Sequence, residues 1–466
     1  MSFRRQRIIL FAAASVVISL VMAVLAGVSY AVDDALVLPK GFFRLSTEGN
    51  FYLPITERYN PSGRAEDLAI DFNASLNSNV FPALAPLDPF VPGLPSIGDS
   101  RVSFEYLAQT LETNLQYGLT DRISVGVKIP YWWFHNKVKA QVDSGVGSSA
   151  NVGKNPFFAC GSAVCPLFVP GTSRFTTEDV QQLLGKGLDV NGDGRIDIPG
   201  FGYKRFQSWN GHGLSDVEAG FRYQYFRTES WRLAFTGGVR FPTGRVDDPD
   251  NLTDYAFGTG AYAILYRFNN DFVLSDLWKT KRASNNQQAA GATEPDASVP
   301  SRTYRYDIRE APGAMEPGDV VLNYTFRYDL VLPQHETKRV PDNVNNPITI
   351  NRENVKINVG DYFEYEISAL FGLWKGLYAS ALYKYGFKLQ DKVSGSKGFA
   401  YSSLEDETKA TSHIYILGLS YSTLPLFLEK KFPLPVNATL TYRNRFDGSN
   451  NVLKSQYVGF SLSAVF

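Results

Sequence analysis

Across 466 residues there are two cysteines and three methionines, and 46 Lys+Arg stand against 46 Asp+Glu, so no charge of one sign is in excess. Without an N-terminal leader carrying Arg4, Arg5 and Arg7 the balance tips slightly acidic, which excludes nucleic acid, a partner that selects basic surfaces. Beyond that leader no run of 18 or more apolar residues occurs, and a bundle of membrane-spanning helices is excluded. Also lacking is a Pro/Gly/Ser linker between halves of different composition, so one large domain is expected.

Residues 1–31 join a short basic start to an apolar stretch, Ile8 to Val28, and end on Ser29-Tyr30-Ala31. This reads as a secretory signal cleaved after Ala31; an uncleaved anchor is the alternative, because the apolar stretch is long. Gln6-Arg7-Ile8 continues a twin-arginine pattern poorly, and the ordinary export route is favoured. In an exported chain Cys160 and Cys165, four residues apart in a polar stretch, are expected to form a local disulfide.

What the sequence has in abundance is aromatic residues, 33 Phe, 26 Tyr and 6 Trp, and alternation. Leu111, Thr113, Leu115 and Tyr117 alternate with Glu112, Asn114 and Gln116; after a turn at 118–122, Ile123, Val125, Val127, Ile129, Tyr131 and Trp133 alternate with Ser124, Gly126 and Lys128. The same pattern recurs at 217–241 and 363–388, and further strands are expected at about 41–53, 101–107, 256–268, 318–331, 410–422, 435–446 and 455–466. The 101–107 piece meets the next strand out of phase, which suggests a bulge.

Alternation alone does not say which face meets lipid. Strands of about 11–13 residues suit a tilted membrane crossing. Aromatics gather at strand ends (Tyr117, Tyr131, Trp132, Trp133, Tyr225, Trp231, Phe241, Trp374, Tyr385), where an interfacial girdle belongs. Short and long connections alternate. The expected fold is therefore all-β, an up-and-down antiparallel transmembrane barrel of about twelve strands over residues 32–466, the closed form that satisfies every strand hydrogen bond in lipid. Short turns are expected at 118–122, 227–230, 372–376 and 423–434, and long outer loops at about 54–100, 135–213, 242–255, 332–360, 390–409 and 447–454. The segment 269–317 has room for two more strands, which leaves fourteen open. Val458, Phe460, Leu462, Ala464 and Phe466 alternate to the last residue. This looks like the closing strand of a bacterial outer-membrane protein, whose terminal aromatic is read by the barrel-assembly machinery.

Tyr117-Gly118-Leu119-Thr120-Asp121-Arg122 with Ile129-Pro130-Tyr131, and Gly213-Leu214-Ser215-Asp216-Val217 with Phe241-Pro242-Thr243-Gly244, resemble the outer-membrane transporter family named for the meta pathway of phenol degradation. The resemblance covers roughly residues 100–466, interrupted by an extracellular insert at about 135–213. Members of that family are taken to be channels for hydrophobic or aromatic compounds, so the resemblance implies passive uptake of such small solutes across the outer membrane. A closed structural or adhesive barrel whose long loops bind an extracellular partner is the alternative.

Inward positions are expected to hold Lys128, Arg222, Arg232, Arg240, Arg327, Lys384, Lys388, Arg443 and Arg445 beside Glu112, Glu218, Asp319, Asp329, Glu364 and Glu366. Such charges either line a path for a solute or pair across a narrow lumen and fill it. In the insert, Asp189, Asn191, Asp193 and Asp197, with the Arg195 carbonyl and Gly194 between them, follow the spacing of a calcium loop, while Gly200 stands where a bidentate carboxylate is usual. A polar Asp/Asn/Gly turn is the alternative. Just upstream, 177–184 reads as a short helix with a capping threonine. Catalysis has no support in the sequence: His413 has Tyr415 where an imidazole-activated serine would stand, and His135, His212 and His335 fall in loops. A 22-stranded receptor would need a plug domain and more residues; a trimeric diffusion porin is harder to separate.

Overall fold

A computed structural model describes residues 33–89, 93–154, 173–189, 192–228, 230–276, 314–344 and 346–466. The leader, Cys160, Cys165 and Asn191 lie outside the described residues. Twelve antiparallel strands close into one barrel: β1 (Phe43–Tyr52), β2 (Ser96–Thr120), β3 (Ile123–Asp143), β4 (Val217–Arg227), β5 (Trp231–Phe241), β6 (Ala263–Val273), β7 (Val320–Val331), β8 (Tyr362–Trp374), β9 (Leu377–Lys388), β10 (Ala410–Ser422), β11 (Val436–Ser449) and β12 (Gln456–Val465). Each pairs with its neighbours in sequence, and β12 pairs with β1 from Val465↔Arg44 to Tyr457↔Tyr52, so no sheet edge is left open to lipid. β6 is hydrogen-bonded directly to β7, from Ala263↔Val331 to Val273↔Val321, so the two are neighbours in the wall with no strand between them. Fourteen is thereby set aside.

The barrel is turned inside out relative to a soluble protein. Phe51, Leu115, Val127, Phe221, Ile367, Leu417 and Phe460 are exposed on its outer face, whereas Ser46, Thr110, Asn269, Ser368 and Thr439 are buried on the inner one. Such a belt is stable only against hydrocarbon. Rings band its ends: Phe43 lies 4.5 Å from Tyr117 at one rim, and Tyr328, Phe363 and Phe387 stack at 4.7 Å spacings at the other. Trp132, expected in the girdle, instead points inward and stacks on Tyr52 at 6.2 Å.

Two sequence readings are corrected here. No bulge separates 101–107 from the strand that follows. β2 runs unbroken from Ser96, in register with β3 from Asp99↔Asp143 to Gly118↔Ser124. The apolar residues change face because the surroundings change: below, Leu111 and Leu115 face outward, while above, Phe104 and Ala108 point inward and pack against Phe206, Phe134 and Phe257. The strand expected at 256–268 actually begins at Ala263, because Asp216 claims the preceding segment. Its carboxylate accepts the Gly244 N–H at 3.0 Å and the Thr259 N–H and hydroxyl at 2.8 Å, clasping the outer connection where Gly244 and Gly258 pack backbone to backbone.

Above the barrel the insert, which starts at 144 because β3 is longer than expected, packs Phe175, Val180 and Leu188 against Phe81 and Leu87 of the connection between β1 and β2 and against Ile97 of β2, forming one shared core. Its helix α1 (Thr177–Leu184) is capped by Thr176, one residue earlier than the sequence suggested, in a reciprocal capping box with Asp179. Arg339 ties three outer connections together: it stacks 3.9 Å over Tyr203 and donates to Asp250 at 2.8 Å.

Candidate functional site: a strapped lumen

Period two puts one polar side chain per two residues into the lumen, and every expected charge except Asp319 projects from the inner face of a strand. Asp319 sits in the turn before β7, where it accepts the Glu316 N–H at 2.8 Å. What period two did not reveal is the element these side chains surround.

Residues 33–38, just ahead of β1, thread into the half of the lumen nearest the short turns, and Ala35 to Leu38 are at most 4% exposed. The barrel wall satisfies the strap's polar groups. Arg222 donates to the Asp33 carboxylate at 2.5 Å and to the Asp34 carbonyl at 2.7 Å, and Arg267 reaches Asp33 at 3.3 Å. Ala35 donates its N–H to both Asp271 oxygens at 3.0 Å and accepts from the Gln224 amide at 2.8 Å. Buried backbone groups left without partners would each cost about 1–3 kcal/mol, so this wall is built to hold a strap.

The strap leaves the lumen through the resembling motif. Gly41, at φ 88°, donates to the Gly118 carbonyl at 2.8 Å, and Lys40 donates its N–H to Asp121 at 3.2 Å. A Cβ at Gly118 would overlap the Pro39 carbonyl, so only glycine lets the chain pass. Tyr117-Gly118-Leu119-Thr120-Asp121 is therefore more than a turn signal. It is the seat of the strap.

Above the strap lies a belt of paired charges. Arg240 bridges Glu218 at 2.9 Å and Asp329 at 2.7 Å; Arg327 adds a second bond to Asp329 at 2.6 Å. Lys128 meets Glu218 at 3.3 Å and Glu112 at 3.7 Å, and Lys384 meets Glu366 at 2.6 Å and Glu364 at 3.3 Å. Arg232 lies lower, 4.0 Å from Asp271. A cavity of about 320 Å³ remains between strap and belt, walled by Asp33, Arg222, Arg267 and Glu366 among others. It shares Glu48, Glu112, Glu364, Lys384, Ile416 and Tyr457 with an upper cavity of about 510 Å³, where Lys388, Arg443 and Arg445 also sit.

Sequence reasoning missed Asp33, Asp34, Gln224, Arg267 and Asp271. The last two were legible: Ala263, Leu265, Arg267, Asn269 and Asp271 alternate with Ile264, Tyr266, Phe268, Asn270 and Phe272; Arg267 lay within the expected strand and was overlooked, and Asp271 was lost by ending that strand at 268. His413 faces outward and shares a 2.7 Å hydrogen bond with the Tyr383 hydroxyl. In the insert, Asp189 accepts the N–H groups of Gly192 and Gly194 at 2.7 Å, and Asp193 accepts that of Arg195 at 2.8 Å. Among the described residues no three acidic, histidine or cysteine side chains form a group fit to hold a metal.

No family model matches the sequence, and no curated protein does. Among solved structures the chain is similar to an outer membrane channel from Pseudomonas putida F1, at 9% identity and a TM-score of 0.45, covering 94% of this chain and 100% of that one. A Pseudomonas aeruginosa FadL homologue matches at 10% identity and a TM-score of 0.30, over 91% and 90% of the two chains. OmpT, an outer membrane protein of Vibrio cholerae, matches at 11% identity and a TM-score of 0.24, over 91% and 96%.

Proposed function

We propose that the protein is an outer-membrane channel for passive uptake of small solutes, with aromatic compounds as its cargo class. The observation that carries this reading is the pair of cavities that share walls inside a closed barrel whose outer face is apolar. A barrel serving only as a scaffold has no need of connected internal space, whereas a selective pore requires it. Tyr52, Tyr255, Tyr362 and Tyr457 around the upper cavity supply ring faces for an aromatic solute, in keeping with the resemblance to the phenol-degradation transporters. The strap makes the path narrow, so passage is slow and size-limited.

In this reading the chain is exported with a cleaved signal ending at Ala31, is inserted by the barrel-assembly machinery through Phe466, and lies in outer-membrane lipid. The test is planar-bilayer conductance and liposome swelling with the refolded protein. Ion conductance together with swelling by small aromatic solutes is the expected result. Absence of both, in the wild type and in a variant with a released strap, overturns the channel reading in favour of the structural barrel whose loops, tied together through Arg339, bind a partner outside the cell.

A further inference from the structure

Four cations around the lower cavity each meet a carboxylate: Arg222 has Asp33, Arg240 and Arg327 have Asp329, and Lys384 has Glu366. The upper cavity differs. Arg443 and Arg445 lie two residues apart on β11 and so share its inner face, roughly 7 Å apart along the strand. Neither guanidinium forms an ion pair among the described residues. Arg443 lies 5.2 Å from the centre of the Tyr457 ring, and Arg445 donates to the Leu453 carbonyl at 3.0 Å while its buried Nε has no partner.

Three carboxylates reach this cavity, all at its border with the lower one, and all are engaged: Glu48, Glu112 by Lys128 at 3.7 Å, and Glu364 by Lys384 at 3.3 Å and the Tyr362 hydroxyl at 2.8 Å. Lys388 is engaged by Asp391. The result is two adjacent positive forks in a space of about 510 Å³ lined by four tyrosines. Like charges side by side and away from bulk water are costly, and a planar carboxylate is the group whose two oxygens match a guanidinium fork. Tyrosine faces at the same site add affinity for a flat ring.

We propose that this cavity is a binding site for small aromatic carboxylates, with Arg443 and Arg445 holding the carboxylate and Tyr52, Tyr255 and Tyr457 flanking the ring. The inference deepens the channel reading and rests on it: the preferred cargo is an aromatic acid rather than a neutral hydrocarbon or phenol. It also places the specificity step at the outer end of the lumen, before the strap.

The test is calorimetric binding to the full-length protein in detergent micelles, using benzoate, benzyl alcohol, benzylammonium and acetate as probes, with protein-free micelles as the blank. Benzoate is expected to bind at least tenfold more tightly than benzyl alcohol or acetate, and benzylammonium not at all. In the double variant Arg443→Gln, Arg445→Gln the benzoate affinity should fall to that of benzyl alcohol. Arg443→Lys with Arg445→Lys keeps the charge but not the fork and should fall between. Circular dichroism and heat-modifiable gel mobility establish that each variant is a folded barrel. Benzoate binding no tighter than benzyl alcohol in the wild type, or unchanged in the glutamine variant, overturns the proposal. Bilayer conductance separates the two readings: a conducting pore that benzoate does not block overturns the site and leaves the channel, whereas benzoate binding without conductance in wild type and strap-released protein overturns the channel and leaves the site.

Discussion

Arg222 on the barrel wall holds the Asp33 carboxylate at 2.5 Å across 189 residues of sequence, and the same guanidinium donates to the Asp34 carbonyl. One side chain thus meets a charge and a backbone acceptor of the strap together. Arg222→Gln leaves the Asp33 carboxylate without its principal partner, a loss of up to about 3–5 kcal/mol for a buried pair. The barrel ladder is untouched, so the strap should loosen while the barrel stays folded. Single-channel conductance is expected to rise several-fold over wild type. Unchanged conductance in a folded variant would show that the strap does not limit the pore.

Gly118 should tolerate no side chain. In Gly118→Val the Cβ collides with the Pro39 and Leu38 carbonyls, so the strap must shift from its seat at the rim. Protease sensitivity of the segment ahead of β1 is expected to increase, with conductance rising as for Arg222→Gln. A variant that kept wild-type protection would refute the role given to this glycine.

The cap of α1 makes the outer insert sensitive to acid. Burial pushes the Asp179 carboxyl upward, but the Lys154 ammonium at 2.7–2.8 Å and the Thr176 donors outweigh it, so its pKa lies below the ordinary 3.8. A depressed carboxylate stabilises the fold above its unfolded value and loses that contribution as pH falls through the folded one. Hydrogen-exchange protection in α1, taken relative to the intrinsic rate at each pH, should therefore be full near neutrality and decline only below about pH 4. Asp179→Asn should exchange faster at neutral pH, by about 1 kcal/mol of cap stability, and lose most of the acid response. Identical exchange in the two proteins would remove Asp179 from the account.

Calcium binding by the Asp189 turn is a proposal carried by sequence spacing. The expected affinity is weak, on the order of 10⁻⁴ to 10⁻³ M, since Gly200 cannot supply a bidentate carboxylate. Calorimetric titration of the full-length protein should give heat with calcium that Asp193→Ala abolishes. Equal heats would leave only the turn that Asp189 builds with Gly192 and Gly194.

Phe466 pairs its backbone with Phe43 at 2.8 and 3.0 Å, so the last residue also closes the barrel. Deleting it should lower the yield of folded barrel in the outer membrane more than Phe466→Leu, which keeps the backbone pair. Equal yields for the two would place the whole effect in the side chain.

Alternation, together with strand length and aromatic strand ends, marked out the class, a count of about twelve strands and the set of residues, Arg240, Glu364 and Arg443 among them, that would share one face, because in a strand facing is set by parity and needs no knowledge of neighbours; the choice of twelve over fourteen came from the pairing of β6 with β7. It also placed short turns at one end and long loops at the other. It misread residues 101–109 and 256–262, where the pattern answers to what lies outside the strand. At 101–109 the apolar face swaps from lipid to outer loops. At 256–262 the Asp216 clasp overrides local propensity. The strap was invisible for a related reason: Asp33-Asp34-Ala35-Leu36 has no period of its own, and its place depends on Arg222, Arg267 and Asp271, which only barrel closure gathers around one axis. Whether two inward charges pair or stand alone was likewise settled by strand register and barrel radius, quantities that local sequence does not carry; the same inner-face parity that put Arg240 beside Glu218 left Arg443 and Arg445 facing open space.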